Sequence, residues 1–537
     1  MKYVISDVHG RYDLFIKMLD KISFSDNDTL YLLGDMSDRG PDGIKLLQDV
    51  MNRPNVIPFL GNHEEIFYRV IRKIGKSIDL NKALGRATVS AARGINITRR
   101  RCFMNDQINV IFRDWRDWPN PEKKLLKVVI PNAEAELKEK CRICLDEIYG
   151  GNPPREAVNR MERELYMETG RGFAPHFLFA AKLAKRCDFV GGVHWVRDCA
   201  GNSFLSFLLG IAETNPLPPH KYCRSCGYTE FVDASVYASG YDIDCSKRER
   251  ALCPRCGSEL VGDGHNMDDT FFLGEWGDFA PSFSIDVPEE THHQMLSWLA
   301  AQGKIQECAS PKEIDAAEPA GLCLDLIGDR SLSALRELEK RTGAAIHEIR
   351  CEEILIPALI EQMEPTPFLC WEDLALLQKL RPSCFSDVVK AYGLGHGTGT
   401  WIGNAEDLID TVGSKRNLIA HRDDILETML QYGVDRRTAV KLSHATRKGR
   451  AKKALTPELT TMLLENGVPA WYLESMRKIQ YLFPRAHSIE YLRVLFRLAW
   501  YGQHFPYDYS EVIQKAAEKE KEEHAELEKW IQKNKQQ

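Results

Sequence analysis

Long apolar runs are missing from this chain. None of its 537 residues lies in a stretch approaching the ~20 apolar residues that a bilayer-crossing helix needs. The start, MKYVISDVHG, also lacks the charged-then-apolar build of a secretion signal. These absences argue against membrane-spanning and secreted classes and make a cytoplasmic location the expectation. A dominant charge is missing too: 71 Lys and Arg against 77 Asp and Glu leave a net charge of -6. No global field therefore draws the protein onto nucleic acid, and any such binding has to be local. Nor is there a disulfide framework to infer, because fifteen cysteines is an odd count and reads as free thiols and metal ligands. What is present is a soluble, globular composition, 44% hydrophobic and 28% charged, in a chain long enough for roughly two to four domains.

The first 65 residues repeat one design, an apolar strand-like run that ends in a short polar motif. YVIS precedes Asp7-Val8-His9-Gly10, LYLL precedes Gly34-Asp35 and Asp38-Arg39-Gly40, and VIPFL precedes Gly61-Asn62-His63-Glu64. Ligand groups of α/β sheets gather beyond the C-terminal ends of strands, and Asp, His and Asn are oxygen and nitrogen ligands suited to a pair of divalent ions. Singly, each motif also reads as a strand-end turn or a helix cap. In order and at near-equal intervals, they read as one metal site.

These motifs resemble the metallophosphoesterases of the protein serine/threonine phosphatase type. The resemblance implies that Asp7 and His9 bind one metal, Asp35 bridges and Asn62 binds the second. It further implies that His63 is the general acid, oriented by Asp38, and that Arg39 holds the phosphoryl oxygens. The implied cofactor is a divalent metal pair, manganese or iron with zinc, and the implied partner is a phosphorylated substrate. The chain departs from that pattern downstream: no histidine occurs between His63 and His176, whereas the family completes its second metal site with two later histidines. His194, after the apolar run DFVGGVHW, is the late histidine weighed for that role.

From about residue 125 a second set of blocks takes over, including NPLPPHKYCRSCGYTEF, CPRCGSELVGDGHN, FFLGEWGDFAPSF, LGHGTGTWIGNAEDLI and FPRAHSIEYLRVLFRLAWY. They resemble, in order, the catalytic core of the bacterial PolC-type DNA polymerase III alpha subunit. Within this region Cys223-x-x-Cys226 and Cys253-x-x-Cys256, each followed by Gly, offer four thiolates for a closed, structural zinc site. The resemblance places a close pair of acids in a block reading roughly P-D-x-D. Here that block is Pro281-Ser282-Phe283-Ser284-Ile285-Asp286, so either both acids have become serine or Asp286 alone survives. The third acid is matched by Asp325. Polymerisation needs two or three carboxylates for two magnesium ions, so Asp286 and Asp325 are remnants. The glycine- and serine-rich triphosphate loop is matched by VRDCAGNSF, which keeps Arg197 but brings in Asp198, whose charge repels a triphosphate.

Residues 330 to 505 alternate amphipathic helical patterns with Gly- or Pro-marked turns, as in polymerase fingers. Their basic stretch, Arg436, Arg437, Lys441, Arg447, Lys448, Arg450, Lys452 and Lys453, is suited to a phosphate backbone. Arg197, Arg447, Lys448 and Arg450 are the expected phosphate or DNA contacts, and His396 lies in a loop near the family's incoming nucleotide.

The expected fold class is multidomain α/β and α. A metallophosphoesterase-like region spans 1–118, a polymerase-like palm segment 125–215, a zinc module 216–266, a palm remnant 267–330, a helical fingers-like domain 331–505 and a charged C-terminal helix 506–537. The expected function is a metal-dependent phosphoesterase fused to a polymerase-derived, non-polymerising DNA-binding module. The alternative is a PolC-like protein acting in replication or binding DNA or a replication partner without its own catalysis. A third reading is a decayed fusion in which neither site works.

Overall fold

The structure, a computed structural model, describes residues 2–5, 11–25, 28–33, 45–46, 49–50, 53, 55–59, 107–112, 124–169, 171–234, 236–245, 252–274, 279–302, 304–307, 322–350 and 371–519. The chain divides into two compact units, Met1–Arg100 and Arg101–Gln537.

In the first unit β1 (Lys2–Ile5), β2 (Thr29–Leu33) and β3 (Val56–Phe59) form a parallel sheet in the order β1-β2-β3, with Lys2 opposite Thr29 and Leu30 opposite Val56. Helix α1 (Tyr12–Lys21) supplies the crossover that parallel pairing requires. Its Phe15 and Leu19, four residues apart and so on one face, are buried with Leu30, Leu32, Leu46, Val50 and Val56. Because the strands are parallel, their C-terminal ends share one edge of the sheet. Asp7, His9, Asp35, Asp38, Arg39, Asn62 and His63 follow those ends in the chain and lie outside the described residues.

The second unit is built on a mixed sheet. Its strands are β4 (Gln107–Phe112), β5 (Lys124–Val129), β6 (Trp195–Val196), β10 (Ser282–Pro288), β11 (Lys304–Glu307) and β12 (Leu322–Asp329). Their order is β11-β5-β4-β12-β10-β6, so residues 107–112 pair within this second sheet. β10 alternates strictly: Phe283, Ile285 and Val287 are fully buried in the core with Phe177, Phe272, Met295, Leu299, Leu324 and Leu326. That leaves Ser282, Ser284 and Asp286 on the opposite face. The core side chains come from α2 (Ala133–Ile148), α3 (Arg155–Thr169), α4 (Ala174–Gly191) and α5 (Glu289–Ala300) as well as the strands.

A separate antiparallel sheet, β8-β7-β9, is formed by β7 (His220–Tyr222), β8 (Thr229–Phe231) and β9 (Val261–Asp263). The remainder is helical: α6 (Arg330–Thr342), α7 (Phe385–His396), α8 (Arg422–Gln431), α9 (Arg436–Arg447), α10 (Ala470–Lys478) and α11 (Arg485–His504). Among the described residues they contribute to three further cores, one around Leu335, Ile489, Leu492 and Phe496, one around Ile425, Met429, Leu463 and Met476, and one around Leu377, Leu380, Leu394 and Leu418. Residues 506–519 continue as helix. Their Tyr509, Val512 and Ile513 are buried in the first of these cores, so this part of the charged C-terminal segment docks by a narrow apolar stripe. Among the described residues no helix is long and apolar enough to cross a membrane.

Candidate functional site

The four knuckle cysteines come together. Their sulfurs all lie within 4.8 Å of one another, with Cys223 to Cys256 and Cys226 to Cys253 each at 3.5 Å. Tetrahedral thiolate coordination with metal–sulfur bonds of about 2.3 Å spaces sulfurs about 3.8 Å apart, so this donor set fits a closed four-sulfur site. The local backbone explains the convergence. In each knuckle the amide after the second cysteine turns back onto the carbonyl of the first, Gly227 N to Cys223 O and Gly257 N to Cys253 O, both at 2.9 Å. Both glycines take positive φ, +67° and +76°. Gly227 is doubly constrained, since a Cβ there would meet the Tyr149 carbonyl oxygen at 2.0 Å.

The polar face of β10 holds the second cluster. Asp286 is fully buried, and Arg197 grips its carboxylate: Nε donates to Oδ1 at 2.7 Å and Oδ2 at 2.9 Å, and Nη2 donates to Oδ2 at 2.5 Å. Arg197 is fixed by the sheet, because its amide bonds the Ser284 carbonyl at 2.8 Å and β6 pairs antiparallel with β10, Trp195 opposite Asp286. Its guanidinium also lies over the Trp195 ring, 5.1 Å from the centroid. Trp195 in turn donates Nε1–H to Asp329 Oδ2 at 3.1 Å, and Asp329 caps α6 through the amides of Ser331 and Leu332. Burial pushes the Asp286 carboxyl up to about 8, against the pull of Arg197 and with Asp329 adding to the rise. Asp325 stands on β12 directly opposite Ser284, whose hydroxyl donates to Asp325 Oδ2 at 3.2 Å.

The loop matching the triphosphate motif is occupied from within. Asp198 has φ +60°, a left-handed conformation that Asp tolerates better than most residues, and its amide faces His487 Nδ1 at 3.3 Å. Downstream, the amides of Phe204 and Leu205 and the Ser203 hydroxyl all donate to Glu164, at 2.9, 3.1 and 2.8 Å. The short helix after the loop therefore begins on a buried carboxylate of this chain. Sequence spacing held no signal for Glu164, which lies about forty residues upstream on α3.

The basic stretch separates into two groups. Arg436 bonds both Asp268 oxygens at 2.6 and 2.7 Å, and Arg447 is half-buried beside the Tyr481 ring. Arg437, Lys441, Lys448, Arg450, Lys452 and Lys453 are exposed. Partial burial, with the charges of Arg447 and Arg450 beside it, holds the Lys448 ammonium below its ordinary value, the signature of a crowded positive patch. His396 stacks on Tyr392 with centroids 3.8 Å apart. His194 is buried between Asp188 Oδ1 at 2.6 Å and the Ile211 carbonyl at 3.1 Å.

A cavity of about 250 Å³ opens where α7, α8 and α11 meet the Asn266 segment. Its charged groups are matched internally: Lys390 to Asp424 at 3.0 Å, Arg485 to Asp424 at 2.9 Å and to Glu427 at 2.7 Å.

Comparison with known proteins bears on both parts. Residues 3–136 match the family profile described as calcineurin-like phosphoesterase, and residues 135–304 match that described as the bacterial DNA polymerase III alpha NTPase domain. Curated relatives include the PolC-type DNA polymerase III of Thermotoga maritima, 27% identical over 485 residues that cover 72% of this chain and 35% of the relative. Those of Staphylococcus saprophyticus and Bacillus subtilis are each 26% identical, over 70% of this chain and 33% and 32% of the relative. The chain thus spans about a third of the length of the curated relatives it matches.

Proposed function

We propose that this chain joins a metal-dependent phosphoesterase to a polymerase-derived module that binds DNA and does not polymerise it. The phosphoesterase half rests on the match over residues 3–136 and on its donor set. Asp7, His9, Asp35 and Asn62 provide carboxylate, imidazole and carboxamide ligands suited to hard or borderline divalent ions such as manganese, iron or zinc. When bound, such a pair supplies an activated water and a clamp on the phosphate. Arg39 orients the phosphoryl group through bidentate N–H donors. His63 gives a proton to the leaving oxygen, held in position by Asp38. A phosphorylated substrate of the protein, nucleotide or nucleic-acid class is the reactant.

The single observation carrying the non-polymerising half is the polar face of β10, where two serines and an arginine-bound aspartate stand in place of a free acid pair. The exposed Lys448, Arg450 and their neighbours supply the sequence-independent DNA contacts, and the four cysteines hold a structural zinc. The decisive assay is hydrolysis of p-nitrophenyl phosphate by the full chain with manganese. Turnover that disappears in Asp35→Asn is expected; no turnover with any divalent metal would overturn the enzymatic half. The alternative, a replication-associated DNA-binding protein without any catalysis, is favoured by the basic patch and would be left standing by that second result.

A further inference from the structure

In a polymerase-like sheet, the face carrying Ser282, Ser284, Asp286 and Asp325 is where carboxylates would hold two divalent cations. The residues present do not fit that pair. Serine hydroxyls are neutral and weak ligands for magnesium, and Asp286 has its oxygens taken by Arg197 at 2.5 to 2.9 Å. That leaves Asp325, hydrogen-bonded to Ser284, as the remaining carboxylate at the register of the missing acids. A cation placed beside Asp286 would also meet the fixed guanidinium charge at close range in a partly desolvated site, where like-charge repulsion is strong.

We infer that Arg197 is the resident cation of this face: its guanidinium does the charge-balancing that divalent metal would otherwise do, and DNA is held here without metal. The arrangement is built, not incidental. The Arg197 backbone is bonded into the sheet, its side chain lies over buried Trp195, and Trp195 is tied to the Asp329 cap of α6. A surface arginine pairing opportunistically has no such support. Backbone, ring and carboxylate together hold the guanidinium in one place, which is what a permanent counter-ion requires.

The second half of this inference rests on the DNA-binding reading, so two readouts are needed. The first counts bound Mn²⁺ on the full chain by electron paramagnetic resonance. Asp325→Asn should leave the count equal to wild type, because any manganese at the N-terminal motifs is common to both proteins. A count that falls by one in Asp325→Asn would overturn the inference. Ser282→Asp/Ser284→Asp should add no manganese while Arg197 is in place and at least one once Arg197→Ala is combined with it; a manganese gained with Arg197 present would overturn the inference. The second readout is fluorescence anisotropy with a labelled primer–template duplex in metal-free buffer and with added Mg²⁺. Affinity that is unchanged or weaker with Mg²⁺ is expected, because divalent ions compete for DNA phosphates. A tenfold gain with Mg²⁺ would overturn metal-free holding. Absence of binding under both conditions would overturn the DNA-binding reading itself, and the manganese count would still decide the role of Arg197.

Discussion

At Gly227 two constraints coincide, a positive φ and a backbone carbonyl where a Cβ would sit, whereas Gly257 has the positive φ but open space around it. Gly227→Ala should therefore cost about 3 kcal/mol and Gly257→Ala about 1 kcal/mol, as read from urea unfolding. Arg197 makes a comparable test of a buried charge. Arg197→Ala leaves Asp286 buried and unpaired and should lower stability by ~3 kcal/mol, the low end for a broken buried pair because the Arg197 side chain is 36% exposed. Arg197→Ala/Asp286→Asn should recover part of that loss. His194 gives a pH signature. Burial opposes its charge, yet the hydrogen bond and charge of Asp188 outweigh burial and raise it to about 9. A raised value in the folded state means the pairing stabilises fully below the unfolded histidine value of about 6.5 and is lost as pH climbs through about 9. The unfolding free energy from urea titration should fall over that window by an amount on the order of 1 kcal/mol, screened because Asp188 is half-exposed. His194→Gln should flatten the profile.

At the level of elements, the β8-β7-β9 sheet has strands of only three residues, too short to stand without a staple. Chelation, or Cys256→Ser, should strip hydrogen-exchange protection from residues 220–231 and 252–263 while α8 and α11 keep theirs. Helix α9 and the segment after it carry the exposed cations, and Lys448→Gln/Arg450→Gln should lower the slope of log affinity against log salt by about 2 and weaken all DNA sequences alike. These elements also mark what could be read directly. The cysteines were legible because each knuckle is local, four residues and a glycine, with the metal chemistry written into the spacing. The strand over 282–288 was not drawn from the sequence, though its alternation is local, and it places Ser282, Ser284 and Asp286 on one face whichever acid register holds. The Arg197–Asp286 pair was not legible, because it depends on β6 lying antiparallel beside β10, a pairing across 89 positions. Glu164 under the VRDCAGNSF loop was hidden for the same reason. In residues 506–519 the density of charge masked a stripe of three apolar residues that is enough to dock a helix.

On the scale of the whole molecule, residues 3–136 match one family profile and residues 135–304 another, and the metal chemistry expected of each is different. The N-terminal donors are oxygen and nitrogen groups suited to an exchangeable divalent ion, while the four cysteines form a closed donor set of the kind that suits a structural metal with no open position. The polar face of β10, with its own guanidinium, should bind neither. Metal content therefore separates the readings in one sample. The most direct measurement is elemental analysis of the purified full chain beside its Asp35→Asn and Cys256→Ser variants. The expected result is close to one equivalent of zinc that is lost only in Cys256→Ser, with a further transition metal that is lost only in Asp35→Asn. Zinc alone, unchanged by Asp35→Asn, would contradict the claim that this chain carries a working phosphoesterase centre.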